Sequence, residues 1–471
     1  MTTRPHIAIL GAGPAGAGVA YRLARRDVFQ VTVLERGGTV GGNAGSFEFG
    51  GLRVDYGSHR LHPSCAPEIL DDIRGMLGPG LLDRPRHGRI RLRGRWVHFP
   101  LKPADLALHL PPSFLVGAAM DAIGRPLRRA GGESFAGVLQ QGLGPTICRD
   151  FYFPYARKIW GVDPESLDAE QARRRVSAGS MWKMARKILN SVAGLKPKGS
   201  GRFFYPKRGF GSITEAYNEA AVAHGVELKL RTGVAALEVE SGRVQAVHTT
   251  GPAGNERMDV RQVLSSIPVS QLVQLVQPQA PADILASACA LKFRSMILIY
   301  LLLDTEQFTE FDAHYFPDAQ IAITRLSEPK NYALADLPGR TVLCAELPCS
   351  TTDWVWKASD HELGKLVQDA LATAGVPVRC RVLEVVSRRL AQAYPIYHRD
   401  YQAHFDRMDE WVGRIDGLVT FGRQGLFAHD NTHHALAMAY ALDGCIGNDA
   451  SLDRQQWAAC RHAFHKHVVE D

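Results

Sequence analysis

The sequence predicts an α/β protein: a nucleotide-binding parallel sheet built from separated pieces of chain, with a helical and a β-rich substrate domain inserted between them. Three observations predict it. The chain opens with an apolar strand, HIAIL (6–10), followed at once by a glycine turn and a helix. Nucleotide-domain character returns as loop, helix and strand at 204–240, and as strand, glycine turn and helix at 418–446. Between them, residues 104–200 are mainly helical in pattern, and 290–400 are rich in strand-like runs such as SMILIYLLLD and TVLCAEL. The expected boundaries are 1–95, 202–285 and 405–471 for the discontinuous nucleotide-binding domain, 96–201 for the helical part and 286–404 for the β-rich part of the substrate domain.

Each early element has a physical reason. Gly11, Gly13 and Gly16 form G-x-G-x-x-G. The first permits the tight turn, the second lets backbone approach a pyrophosphate, and the third lets the helix pack closely on the strand. The helix AGAGVAYRLARR presents free N–H groups and its positive dipole end to the phosphates. FQVTVLERG is a second strand ending in Glu35, nineteen residues after Gly16. A carboxylate there accepts the ribose hydroxyls and disfavours a 2′-phosphate. A glycine-rich turn without a ligand is the bland alternative, and it leaves the acid in register unexplained. A further Gly-Gly at 41–42 again brings backbone close to a ligand.

Further along, FEFGGLRVDYGSHRLHP (47–63) reads as a hairpin and a loop whose polar residues are Gly57-Ser58-His59 and His62. RHGRIRLRGRWVHFPLKP (86–103) alternates apolar and basic residues around Gly94, a second hairpin with Arg89, Arg91, Arg93 and Arg95 held in water. SFAGVLQQGLG and MWKMARKILN read as helices, and GLKPKGSGR (194–202) as a flexible basic linker. Arg157 and Lys158 read as a solvated helix face. VLSSIP (263–268) closes the middle piece of the nucleotide domain.

Composition bounds the function. With 55 basic and 48 acidic residues the net charge is +7, which suits an anionic cofactor or substrate and is too diffuse for nucleic acid. None of the eight cysteines forms C-x-x-C, so no metal site is expected. Their scatter reads as reduced, mostly buried thiols, Cys344 and Cys349 among them as inert strand residues. The longest apolar run, MILIYLLL (296–303), is too short to span a bilayer and reads as a buried strand. No export segment is visible, so the expected setting is cytoplasmic, with a small-molecule substrate, no stable membrane insertion and an open oligomeric state.

The chain resembles the flavoproteins related to UDP-galactopyranose mutase and protoporphyrinogen oxidase, of the amine-oxidase type. GAGPAGAG…VLERGGTVGGNA is similar to their FAD fingerprint, VDYGSHRLHP to the mutase loop beside the isoalloxazine, and FYFPYARKIWGVDPESL (151–167) to a helix segment of the family. RGRWVHFPLKP, TRLSEPKNY (324–332) and FGRQG (421–425) resemble further segments in the same order. The resemblance implies FAD as cofactor, touched by Gly11, Gly13, Pro14, Ala15, Gly16, Glu35, Arg36, Gly42 and Asn43. It also implies Gly57, Ser58 and His59 beside the flavin, Val234 backbone at the adenine, and Gly422, Arg423 and Thr432 near the ribityl and pyrophosphate. The departure lies in FGRQGLFAHDNTHHAL: the mutases carry an arginine that grips the substrate diphosphate where this chain has Ala428, followed by His429. Alanine offers no donor for that contact.

The reading that follows is an FAD-dependent oxidoreductase of a small or medium organic substrate, with hydride transfer to flavin N5, in the biosynthesis of a specialised metabolite or a modified sugar. His59, His429 and Arg423 are the catalytic candidates, since imidazole titrates near neutral pH. His62, Tyr155, Trp160, Arg294 and His433 are the substrate candidates. From spacing alone His59 and His62 read as hydrogen-bonded loop histidines, Tyr155 and Trp160 as core, and His433 and His434 as residues that cap a helix start; the resemblance brings His59 to the flavin. Two alternatives stand: a non-redox flavin-dependent sugar-nucleotide mutase, which needs a gripped diphosphate, and a flavin-free binding protein like the Rab GDP-dissociation inhibitors.

Overall fold

The computed structural model describes residues 4–124, 132–175 and 201–469. The helix expected at 181–190 and all but the last two residues of the linker 194–202 lie outside them.

The opening motif forms strand β1 (His6–Leu10), helix α1 (Pro14–Ala24) and strand β2 (Gln30–Leu34). β1 is the middle strand of a five-stranded parallel sheet, flanked by β2 and then Glu227–Lys229 on one side, and by Gln262–Ser265 and then Leu418–Thr420 on the other. Parallel strands buried on both faces need apolar residues at successive positions. HIAIL supplies them: Ile7 and Ile9 enter one core with α1 and the helices Ser212–Ala223 and Thr432–Gly444, while Ala8 and Leu10 enter a second core with the helices Val269–Leu275, Ala282–Ala290 and Tyr401–Gly413.

A seven-stranded, mostly antiparallel sheet faces this unit. Its order is Val382–Ile396, Lys292–Leu303, Thr341–Cys349, Arg325–Ser327, Ala313–Tyr315, Gly88–Leu92 and Arg95–Phe99. The hairpin Gly88–Phe99 thus joins the late β-rich stretch, entering through the parallel pairing of Gly88–Ile90 with Ala313–Tyr315. The run MILIYLLL is buried throughout. Ile297, Ile299, Leu301 and Leu303 pack with helix Asp360–Thr373. Met296, Leu298, Tyr300 and Leu302 pack with the hairpin Ser46–Asp55. A strand that covers cores on both faces has no solvent side, which is why the run shows no polar alternation.

Two sequence expectations about charge are corrected. Arg89 is not held in water: its guanidinium lies 4.1 Å from the Trp96 ring centroid and 4.5 Å from that of Phe311, and burial lowers its pKa to about 10. Arg91 pairs with Asp318, leaving Arg93 and Arg95 exposed. Long basic side chains lay their stems and planar heads on aromatic surface, which a simple alternation hides. Lys158 likewise turns inward. Its Nζ donates to the carbonyls of Phe316 (2.5 Å), Ile323 (2.8 Å) and Asp318 (3.2 Å), tying the helix Phe153–Trp160 to the seven-stranded sheet. Burial pushes this amine down to about 7. Arg157, one position earlier, is exposed and pairs with Asp163 at 2.8 Å.

All eight cysteines are free thiols, and burial pushes those of Cys344 and Cys349 up, Cys349 to about 11. Among the described residues no helix is long and apolar enough to cross a membrane.

Candidate active site

A cavity of about 990 Å³ lies between the carboxyl ends of the parallel strands and the seven-stranded sheet. Open α/β sheets place ligands at this edge. One end is a glycine cradle. Gly16 sits on the first turn of α1, where a Cβ would lie 1.9 Å from the carbonyl oxygen of Gly11. Only glycine permits that approach, and it sets the loop Gly11–Gly13 against the helix. No side chain caps α1 and its first turn holds no acid, so its N–H groups face the cavity without an internal anion. Gly41 closes the other half of the cradle: its φ is +112°, its Cβ would meet the Gly45 Cα at 2.6 Å, and its N–H donates to the Ala12 carbonyl at 3.0 Å. Glu35 follows β2 and accepts from the backbone N–H groups of Ala12 (2.9 Å) and Gly37 (2.7 Å). That carboxylate therefore fixes both loops while it lines the cavity.

These features test whether a dinucleotide fits. Gly13 and Gly42 both line the cavity and approach closely, a Cβ on Gly42 lying 3.5 Å from the Gly13 Cα; α1 offers its positive end, and Glu35 stands where a ribose needs an acceptor. The residues present fit FAD in donor set and in space.

The other end is built from the loop after the hairpin Ser46–Asp55 and from the seven-stranded sheet. His59 Nε2 lies 2.9 Å from the carbonyl oxygens of both Asn43 and Tyr56. Carbonyls only accept, so Nε2 carries the hydrogen and the lone pair of the neutral ring is on Nδ1. Burial pushes the His59 pKa down, which keeps the ring neutral at pH 7; the charge of Asp55 acts in the opposite sense. Asp55 itself is held behind the loop by Ser46 Oγ (2.6 Å), Tyr205 OH (2.6 Å) and Phe210 N (2.8 Å). Glu346 is 4% exposed on the strand Thr341–Cys349, and its Oε1 accepts from Ser58 N and from Nε and Nη2 of Arg325.

A flat wall completes the cavity. The His429 ring stacks on Tyr394 with centroids 5.1 Å apart and planes 7° apart, and its backbone N–H donates to Tyr397 OH. Arg423 donates to the carbonyls of Ala393 (2.8 Å) and Asp430 (3.2 Å). Asp430 is buried; burial raises its pKa, but the hydrogen bond from His467 and the charges of His434 and Arg174 outweigh this and hold it below the usual carboxylate range.

The cavity brings together Gly11, Gly13, Pro14, Ala15, Glu35, Arg36, Gly42, Asn43, Ser58, His59, Tyr155, Val234, Arg423, His429 and Thr432 of the residues singled out from the sequence. The others lie elsewhere. Gly16, Gly57 and Gly422 shape the lining from behind: a Cβ on Gly57 would approach Glu346 Oε1 at 3.4 Å, and one on Gly422 would meet the Ala15 Cβ at 2.7 Å. Trp160 is 2% exposed in the helical core with Phe135 and Phe153. Arg294 donates to Ser350 Oγ (3.0 Å) and the Pro348 carbonyl (3.3 Å), away from the cavity. His62 bonds Ser64, and His433 packs behind the wall, its ring centroid 4.1 Å from that of His434. His434 Nδ1 accepts from Asn431 N at the start of helix Thr432–Gly444, as a capping residue does.

Arg60, Arg325, Glu346 and Asp430 also line the cavity and were not singled out from the sequence. Two carried a legible signal. Arg60 sits between His59 and His62 in GSHRLHP, and Glu346 is a lone acid in the apolar strand TVLCAEL.

Comparison with known proteins agrees with this layout. A family profile described as flavin containing amine oxidoreductase matches residues 15–410. A reduced UDP-galactopyranose mutase superposes with a TM-score of 0.77 at 19% identity, over 94% of this chain and 93% of that one. A putrescine oxidase bound to putrescine superposes with a TM-score of 0.63 at 13% identity, over 94% and 98%. At these identities the superpositions speak for the fold. A phytoene dehydrogenase of Streptomyces griseus is 38% identical over 79 residues, which is 17% of this chain and only 15% of that protein. The profile covers most of the chain, and the cradle has the form the cofactor needs: the chain belongs to the flavin-containing amine oxidoreductase family and is an FAD-dependent oxidoreductase.

Proposed function

We propose that this protein oxidises a small or medium organic substrate at a C–H bond next to nitrogen, oxygen or an unsaturated system, in the biosynthesis of a specialised metabolite or a modified sugar. The observation that carries this reading is one continuous cavity joining the glycine cradle to His59, Tyr155 and the His429–Tyr394 wall. FAD, when bound, supplies the two-electron acceptor for the substrate hydride. The chain's own residues do the rest. The N-terminal turn of α1, Gly13 and Gly42 hold the diphosphate, Glu35 the ribose, and Val234 backbone the adenine. Arg423 and Thr432 stand at the start of the last part of the cavity wall. His59, fixed as the Nε2–H tautomer, has Nδ1 to accept a proton from the substrate. Met296 and Leu390 close that end with apolar surface and exclude water.

The runner-up is a sugar-nucleotide isomerase. Ala428, 3% exposed, offers no cationic group, and Arg294 is engaged with Ser350 and Pro348. Neither position therefore supplies the diphosphate grip that the isomerase reading expects there. The test is the visible spectrum of the purified protein during anaerobic addition of candidate substrates and readmission of air. A flavin band that bleaches with substrate and returns with air supports the oxidase reading. Turnover of a sugar nucleotide only after chemical reduction replaces it with the isomerase.

A further inference from the structure

We propose that the substrate is an organic anion, whose carboxylate or phosphate is held by Arg60, with Arg325 and Arg86 alongside, where the loop after the hairpin Ser46–Asp55 and the seven-stranded sheet line the cavity. This deepens the flavin oxidoreductase reading and rests on it.

The three arginines reach the cavity from different elements: Arg60 follows His59, Arg86 precedes the strand Gly88–Leu92, and Arg325 begins the strand Arg325–Ser327. Arg60 carries most of the argument. Its side chain is 9% exposed and stacks on Phe203, 4.7 Å from the ring centroid. Its protein counter-charge is Asp312, at a long 3.3 Å from Nη2, and its Nε makes no hydrogen bond. Asp312 is shared, accepting also from His87 N. Burial works against the Arg60 charge, and the groups around it, Asp312 first, outweigh burial and keep the group cationic; with Nε unpaired, the fork still has a donor for a ligand oxyanion. Glu346, the carboxylate on this part of the lining, does not supply it, because its Oε1 is already engaged by Arg325 and Ser58. Planar guanidinium forks match carboxylate and phosphate oxygens, and both sources share this chemistry. Tyr155, Ile159 and Met296 give the body of the ligand apolar and aromatic surface. A cationic head group would meet like charge here, in contrast to the putrescine held by the oxidase of the same fold.

The test is calorimetric titration of the FAD-loaded protein with four probes that share a phenylethyl body and differ in head group: 3-phenylpropionate, 2-phenylethyl phosphate, 2-phenylethanol and 2-phenylethylamine. At least one anion binds about tenfold or more tightly than the alcohol and the amine, the scale of one charge-assisted contact. The stronger of the two anions identifies carboxylate or phosphate as the head group. R60M abolishes the preference while keeping the flavin spectrum, and R60K keeps part of it. The proposal is overturned if neither anion binds, if the amine or alcohol binds as tightly, or if the preference survives in R60M. Should R60M fail to fold, the ranking in the unmodified protein and its weakening by salt decide the matter. The flavin reading fails separately, by absence of the flavin band from the same samples, while the calorimetric ranking is still read.

Discussion

Gly16 and Gly75 are both helical glycines, and the same substitution at each has opposite consequences. In Gly16→Ala the new methyl carbon would lie 1.9 Å from the Gly11 carbonyl oxygen and 3.4 Å from Ile9 Cγ2. Neither neighbour is a flexible tip: one is backbone of the turn itself, the other a fully buried strand residue. The helix and the loop Gly11–Gly13 must separate, at an overpacking cost of about 1–3 kcal/mol. The loop holds the cofactor, so much of that cost appears as lost FAD affinity, roughly ten- to hundredfold at about 1.4 kcal/mol per decade. Gly75 lies on the exposed side of helix Pro67–Leu77, with nothing within 4 Å of its would-be Cβ. There alanine adds about 0.5–1 kcal/mol of stability by reducing backbone entropy, and FAD binding is unchanged. The assay is the FAD content of each purified variant, its dissociation constant from quenching of FAD fluorescence, and its urea midpoint. If Gly16→Ala retains FAD with unaltered affinity, the close approach of helix and loop does not shape the cradle, and the physical reason given for the third glycine is wrong.

Other expectations follow from single side chains. His59→Asn lowers the rate of anaerobic flavin reduction by substrate about 10²–10⁴-fold with the flavin spectrum retained, the range for a positioned proton acceptor; a rate within a few-fold of the unmodified enzyme sinks that role. His314, 1% exposed, has its pKa lowered from 6.5 to about 3 by burial, with Arg89 adding to the effect. Between those values the unfolded chain binds the proton and the folded one does not, so stability falls as pH drops below 6.5. The loss is about 1.4 kcal/mol per unit, roughly 2 kcal/mol by pH 5, and urea midpoints compared with His314→Phe should show a shallower slope in the variant. Lys158→Met strands the carbonyls of Phe316, Asp318 and Ile323 and costs about 2–4 kcal/mol in urea unfolding; a loss below 0.5 kcal/mol, the usual scatter of surface changes, means that the carbonyls find water instead.

The cradle was legible because its chemistry is local. Gly11, Gly13, Gly16 and Glu35 act through spacing along one strand–helix–strand unit, and spacing is what a sequence displays. The run 296–303 was legible as a buried strand for the same reason. The far end of the cavity was not, because its chemistry is made by pairing strands distant in sequence. Arg325 faces Glu346 because their strands are neighbours in register, and Ser58 meets that carboxylate across 288 positions of chain. The inward turn of Lys158 and Arg89 is not legible in the sequence, since their partners are carbonyls and rings on other elements, which leave no mark on the neighbouring residues. Arg294 and Trp160 show the converse: their residue types suggest a ligand, and tertiary packing employs them in structure.

The cavity is walled by stretches from the first strand to helix Thr432–Gly444 and Val469, so its two sheets meet across a space that side chains alone do not fill. A ligand there acts as a rivet between distant parts of the chain. At a free concentration a hundredfold above its dissociation constant it adds about 2.7 kcal/mol to the folded state. In a cell, the amount of this protein that survives proteolysis then tracks the supply of flavin, and shortage of the vitamin precursor lowers the abundance of the enzyme before it lowers the turnover of each molecule.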